Sequence, residues 1–282
     1  MVKNKKLSPD GQRPDGQRPV CLITGASAGI GAALAREFAK AGWDLALTAR
    51  REEPMLELAK ALKAEFGVTS HIIVADLAKP GACADILERL AKKTTHVDGL
   101  VNNAGYGLTG NFIDNEWAAH KDFLNVMLEA PTEMTRLVLD GMVARGFGRI
   151  INVASLAGHI PGSRGHTLYS ATKSFLIKFS QSLNLEMQEH GVKVSALCPG
   201  FTYSEFHDVN ETRSAVDKLP NWMWMSAEEV AESGFMALSR NKAVYIPGVP
   251  NRMIAVVARL LPESWALGLM SRNSEKIRKG SK

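Results

Sequence analysis

The chain of 282 residues is 45% apolar and 22% charged, a balance that excludes a disordered or fibrous protein and suffices for one large α/β domain with a sizeable core. No run approaches the ~18–20 uninterrupted apolar residues of a membrane-spanning helix. No apolar segment follows the basic amino terminus MVKNKKLSPDGQRP, so neither a spanning anchor nor a signal peptide is expected. The formal charge of +5 gathers in the tails, +3 over residues 1–19 and +4 over 271–282, which leaves −2 between them and no basic excess to track a nucleic-acid backbone.

Residues 1–19 carry the motif DGQRP twice in tandem, Asp10 to Pro14 and Asp15 to Pro19, with nothing apolar in either copy, and read as a disordered, solvated tail. From Val20 to Pro250 short apolar runs alternate with helix-length segments of 3.6-residue periodicity. The runs are Val20–Thr24, Asp44–Thr48, His71–Val74, Gly99–Asn102, Arg149–Val153, Lys193–Cys198 and Ala243–Ile246. Each is rich in Val, Ile and Leu and apolar on both faces, the pattern of buried parallel strands crossed by helices. The expected fold is α/β: a single doubly wound Rossmann-type domain over residues 20–250, with a seven-stranded parallel sheet flanked by helices.

The first run leads into Thr24-Gly25-Ala26-Ser27-Ala28-Gly29-Ile30-Gly31 and then a helical segment. Glycines let the backbone turn tightly and approach a pyrophosphate, while the helix amino terminus aims free N–H groups at the anion. Gly25, Ser27, Ala28, Gly29, Ile30 and Gly31 are therefore candidate dinucleotide contacts. The second run ends Leu47-Thr48-Ala49-Arg50-Arg51, with no acid before Glu52. An acid here would bond a ribose 2′-hydroxyl and a base would accept a 2′-phosphate. Arg50 thus favours NADP, with NAD possible and a merely charged helix start as the plain alternative; Thr48 could add a neutral hydrogen bond.

Tyr169-Ser170-Ala171-Thr172-Lys173 opens the helix after the fifth run and spaces Tyr169 and Lys173 by one helical turn, on one face. A phenol, with an ordinary pKa near ~10, is a poor proton donor or base unless a neighbouring cation favours phenolate. Lys173 is that cation. Cys21, Cys83 and Cys198 are scattered and the histidines show no HExxH-type spacing, so no metal site and no disulfide framework is expected, and the compartment reads as reducing, hence cytoplasmic.

These motifs resemble the short-chain dehydrogenase/reductases over Val20 to Gly248. The resemblance rests on TGxxxGxG rather than GxGxxG, on Asn102-Asn103-Ala104-Gly105 after the fourth run, on Asp76-Leu77 after the third, on Ser155 fourteen residues before Tyr169, and on Pro199-Gly200 after the sixth. It implies that Asn103, Ala104 and Gly105 lie near the adenine ribose and that Asp76 and Leu77 contact the adenine. It places Pro199, Gly200, Thr202 and Ser204 beside the nicotinamide. Ser155 would hold the substrate oxygen, Tyr169 would exchange the proton, Lys173 would also bond the nicotinamide ribose, and Asn125 would anchor a water in a relay to the lysine.

Phe201–Met225 is long for a connection and carries Tyr203, Phe206, Trp222, Met223, Trp224 and Met225. It reads as a substrate lid over residues 201–225, with core packing as the alternative for any one side chain. The function expected is an NADP-dependent oxidoreductase that interconverts a ketone and a secondary alcohol on a fairly apolar substrate. A 3-oxoacyl thioester reductase and a non-catalytic NADP-binding regulator are the alternatives. The apolar stripe in Met127–Met142 is core or a helix contact in a homo-oligomer. Residues 251–282, apolar and then basic, are a core-packing extension, an oligomer contact or a membrane-surface segment.

Overall fold

The computed structural model describes residues 13–94, 96–108, 110–203, 220–262 and 264–268. The chain begins β1 (Val20–Thr24), α1 (Gly29–Lys40), β2 (Asp44–Ala49), α2 (Glu53–Phe66), β3 (Ser70–Val74), α3 (Ala82–Ala91) and β4 (Gly99–Asn102). It continues through α4 (Trp117–Leu124), a π-helical turn (Asn125–Glu129), α5 (Ala130–Arg145), β5 (Gly148–Val153), α6 (Thr167–Met187) and β6 (Val192–Leu197). Then come β7 (Phe201–Tyr203), β8 (Trp224–Ser226), α7 (Ala227–Ser239), β9 (Val244–Tyr245) and α8 (Val249–Leu260).

Seven parallel strands form one sheet in the order β3-β2-β1-β4-β5-β6-β9. Alternate residues of each strand feed opposite faces. Cys21, Ile23, Leu45, Leu47 and Ile151 pack under α1, α2 and α7, while Leu22, Ala46 and Ile150 pack under α3, α5 and α6. The central strands β1, β4 and β5 are buried along their whole length, and the edge strand β3 is only partly so. That difference is why the inner runs read as unbroken apolar segments. From β1 the strand order runs outward in both directions, so the carboxyl ends of β1 and β4 diverge and leave the crevice where doubly wound folds bind ligands.

Two expectations change, and a third narrows to one of its alternatives. Within the expected solvated tail residues 14–18 are exposed, but Arg13 is held down: it is 8% exposed and its Nη1 lies 3.4 Å from Oδ2 of the fully buried Asp98. Asp98 also accepts from Arg145 Nε at 2.8 Å and Val20 N at 3.3 Å. Residues 1–12 lie outside the described residues. The Met127–Met142 stripe is mostly core, with Met127, Met134, Val138 and Met142 buried, while Leu137 is exposed. A core-packing role for the segment after residue 250 is not what α8 performs: only Asn251 and Ala255 are buried in it, while Val249, Met253, Val256, Val257 and Leu260 are exposed. Among the described residues no helix is long and apolar enough to cross a membrane.

Candidate active site

At the switch point the glycine segment is clamped from the β4 side. Thr24 Oγ1 accepts from Asn103 N at 2.9 Å and Ala104 N at 3.0 Å and donates to Val101 O at 3.2 Å. Asn103 Nδ2 donates to Thr24 O and Gly25 O, at 3.0 and 3.1 Å. Gly25 has φ +66, and a Cβ on Gly31 would collide with the Gly25 carbonyl and the Asn103 amide. Only glycine permits this close backbone approach. The helix that follows has Ala28 as its N-cap with no side-chain cap, and no acid stands in its first turn. Its leading N–H groups and the positive end of its dipole therefore face the crevice, the disposition that receives a phosphate.

Register carries two arginines to the same rim. Thr24 pairs with Thr48, so the residues after β2 emerge beside the glycine turn, and Arg51 Nη2 donates to Ser27 Oγ at 3.2 Å. Arg50 is exposed at the strand end and acts electrostatically on Tyr106, whose pKa burial raises first of all. Thr48, by contrast, is buried and donates to Ile73 O at 2.7 Å, which removes it as a cofactor donor. Asp76 folds back to accept from Ala78 N at 3.1 Å, and Leu77 packs partly into the core below α3. Turn, uncapped helix and basic rim together fit a phosphorylated dinucleotide.

The second cluster lies at the ends of β5 and β6. Ser155 caps the short turn Leu156–Gly158, accepting from Ala157 N at 3.1 Å. Gly158 lies so close to the α6 backbone that a Cβ would fall 2.8 Å from Lys173 C, and Ser174 Oγ donates to its carbonyl at 2.8 Å. This contact is the physical content of the SxxG spacing: the turn that bears Ser155 is bolted to the helix that bears Tyr169 and Lys173. Burial raises the Tyr169 pKa, and a hydrogen bond with Ser155 pulls the other way. The Lys173 ammonium, buried, donates to Val153 O at 2.7 Å and lies 5.7 Å from the Tyr169 ring centre. Desolvation lowers its pKa to about 8. The neighbouring Cys198 thiol, pushed up to about 12 by burial, stays protonated at neutral pH and gives the lysine no counter-charge. His166 sits one residue before α6 with its ring 6.3 Å from that of Tyr169, and burial lowers its pKa. It is therefore a neutral imidazole at pH 7.

Ser155, Tyr169 and Lys173 are thus brought together, and Asn125 makes no direct hydrogen bond to them. It begins the π-helical turn, an irregularity that recurs at functional sites, and its Nδ2 donates to Ala78 O at 3.2 Å. It ties that turn to the Asp76 loop and makes no hydrogen bond with Lys173.

Pro199 O accepts from Leu156 N at 2.8 Å, and Thr202 Oγ1 donates to Gly200 O at 3.2 Å. Asn251, buried at the start of α8, packs on Gly200 and donates to Pro247 O at 2.9 Å. Sequence reading missed this anchor, and also the buried chain Asn102–Asn152–Ser180, bonded at 2.8 Å in each link, that joins β4, β5 and α6 under the site. Only an unexpected polar residue in an apolar run marks these positions.

The two ends of the expected lid meet as the parallel pair β7–β8. Trp224 is 9% exposed and stacks on Tyr203 at 4.7 Å, so it packs within this strand pair. Trp222, 62% exposed, lines an apolar cavity of about 540 Å³ with Ile160, Pro161, Met253 and Val257. Ser204 and Phe206 lie outside the described residues, as does His207.

Comparison with known proteins agrees with this geometry. The chain matches the short chain dehydrogenase family over residues 19–214. It is 35% identical over 218 residues to sulfoacetaldehyde reductase 2 of Chromohalobacter salexigens, covering 76% of this chain and 85% of that one. A short-chain dehydrogenase from Sphingobium yanoikuyae, solved in complex with NADPH, superposes with a TM-score of 0.76 at 33% identity, covering 86% of this chain and 93% of that one. The bulky-bulky ketone specific alcohol dehydrogenase from Comamonas testosteroni gives a TM-score of 0.71 at 31% identity, covering 93% and 92%. The chain therefore belongs to the short-chain dehydrogenase/reductase family and is an NAD(P)-dependent oxidoreductase.

Proposed function

We propose that this protein is an NADPH-dependent carbonyl reductase whose substrate is a bulky, apolar ketone. The observation that carries the reading is the placement of Ser155, Tyr169 and Lys173 on one turn and one helix, with the apolar cavity lined from the same loop by Ile160 and Pro161. NADPH, when bound, supplies the hydride. Tyr169 Oη gives its proton to the carbonyl oxygen, and Ser155 Oγ donates a hydrogen bond to that oxygen and fixes its position. The Lys173 ammonium favours the phenolate that remains, and does so strongly because it acts in a dry site. Asn125 serves as a positioning residue that holds the Asp76 loop. A volume of about 540 Å³ lies within the ~300–1,000 Å³ of drug-sized ligand sites, and the Comamonas relative's named preference for bulky ketones supports the same class. Exposed Leu137 on α5 and exposed Phe175 and Leu185 on α6 support assembly as a homo-oligomer.

The test is steady-state oxidation of NADPH and of NADH with ketones of graded bulk. NADPH turnover that rises with the apolar bulk of the ketone is expected. Arg50→Ala and Arg51→Ala should each weaken NADPH and leave NADH within a few-fold, since a charge-assisted phosphate bond contributes about 1.5–3 kcal/mol. A preference for NADH would overturn the cofactor assignment. Turnover confined to a 3-oxoacyl thioester would reassign the substrate, and cofactor binding without any turnover would make the protein a regulator.

A further inference from the structure

We propose that α8 seats the protein on an anionic lipid surface, with the apolar cavity opening towards that surface. Val249, Met253, Val256, Val257 and Leu260 recur at intervals of three and four along the helix, which aligns them in one stripe. All five are more than half exposed, Leu260 reaching 78%, and Trp265 extends the apolar surface beyond the helix at 71%. Arg252 and Arg259 are exposed on the same helix.

Charge identifies the occupant. From Val249 onward seven Lys/Arg stand against two Asp/Glu, a net of +5, which is the whole formal charge of the chain; everything before it sums to zero. A second copy of this chain would bring the same two exposed arginines, Arg252 and Arg259, to the same face, where they repel. An amphipathic helix with a Leu/Met/Val stripe, a Trp nearby and basic residues beside it and after it is the composition of helices that lie in the headgroup region. Val249, Met253 and Val257 belong both to the stripe and to the wall of the cavity, so the stripe is the cavity's rim. An apolar carbonyl compound dissolved in the lipid would then pass into the cavity without crossing water. This last step rests on the reductase reading, whereas the docking does not.

Co-sedimentation of the full chain with phosphatidylcholine vesicles, with and without phosphatidylserine, tests it. The protein should sediment with the anionic vesicles, stay in solution with the neutral ones, and be released as salt rises. Val256→Asp with Leu260→Asp changes two exposed residues that do not line the cavity. That variant should lose vesicle binding while keeping wild-type turnover of a water-soluble ketone. Arg252→Gln with Arg259→Gln should weaken binding by roughly fivefold per residue, about 25-fold together. Failure of the wild type to sediment, or unchanged sedimentation of the Asp variant, overturns the docking. An oligomer that falls to monomer in the Asp variant, seen by size-exclusion chromatography, would instead assign the face to a second copy. The water-soluble ketone assay reports on the reductase reading independently of every vesicle result.

Discussion

Lys173 carries opposite consequences for stability and for chemistry. Desolvation takes its pKa from 10.5 in the open chain to about 8 in the fold. Below pH 8 both states are protonated and the fold bears the cost in full, on the order of 3 kcal/mol at ~1.36 kcal/mol per unit. Between pH 8 and 10.5 the unfolded chain holds a proton that the folded one has released, so stability rises with pH across that window. Lys173→Met should therefore raise the Tm at pH 7 by a few degrees, somewhat less than the charge cost implies because Val153 O loses its donor. The same change should abolish turnover. A lower Tm in calorimetry would contradict a strained, desolvated ammonium. In the wild type, kcat/KM for ketone reduction should fall as pH rises through about 8, where the free enzyme loses the charge that favours phenolate.

At the scale of elements, the spacing of motifs was legible where one element carries the whole signal. The glycine turn running into α1 and the Tyr169–Lys173 pair on α6 are of this kind, since a helix fixes which residues share a face. Contacts between elements were not legible. Asn125 Nδ2 donates to Ala78 O, 47 residues away in the chain. Trp222 and Trp224 looked alike in sequence and diverge in the fold: Trp224 stacks on Tyr203 within the β7–β8 pair, and Trp222 faces the cavity. Trp222→Ala should raise KM for bulky apolar ketones far more than for small ones, because the indole removes apolar area from water only when the substrate reaches it. Trp224→Ala should instead lower activity towards both sizes alike by loosening the β7–β8 pair. Steady-state kinetics on a matched pair of ketones separates them, and identical profiles for the two variants would refute the division.

The whole molecule shows what patterning reveals and what it hides. Seven runs apolar on both faces are enough to give a parallel sheet, because buried parallel strands are read without reference to their neighbours. The polar staples escape that reading, since their partners are distant: Arg13 closes on Asp98, Asn251 on Gly200, and Asn102 on Asn152 and thence Ser180. Arg13 and Arg18 hold the same place in the two copies of DGQRP, and the fold separates them. Arg13 is buried on Asp98, whereas Arg18 pairs with Asp44 at the surface at 3.3 Å. Arg13→Ala should cost about 1–3 kcal/mol and Arg18→Ala no more than about 0.5, measured by urea unfolding; equal effects would mean that the segment is not latched. Whether Tyr169 passes the proton, with the cofactor phosphates held at the glycine turn, is settled by Tyr169→Phe. This variant should bind NADPH with a Kd within a few-fold of wild type by fluorescence titration while kcat for a bulky ketone falls about 10²- to 10⁴-fold. Retention of more than half of wild-type turnover would contradict that role.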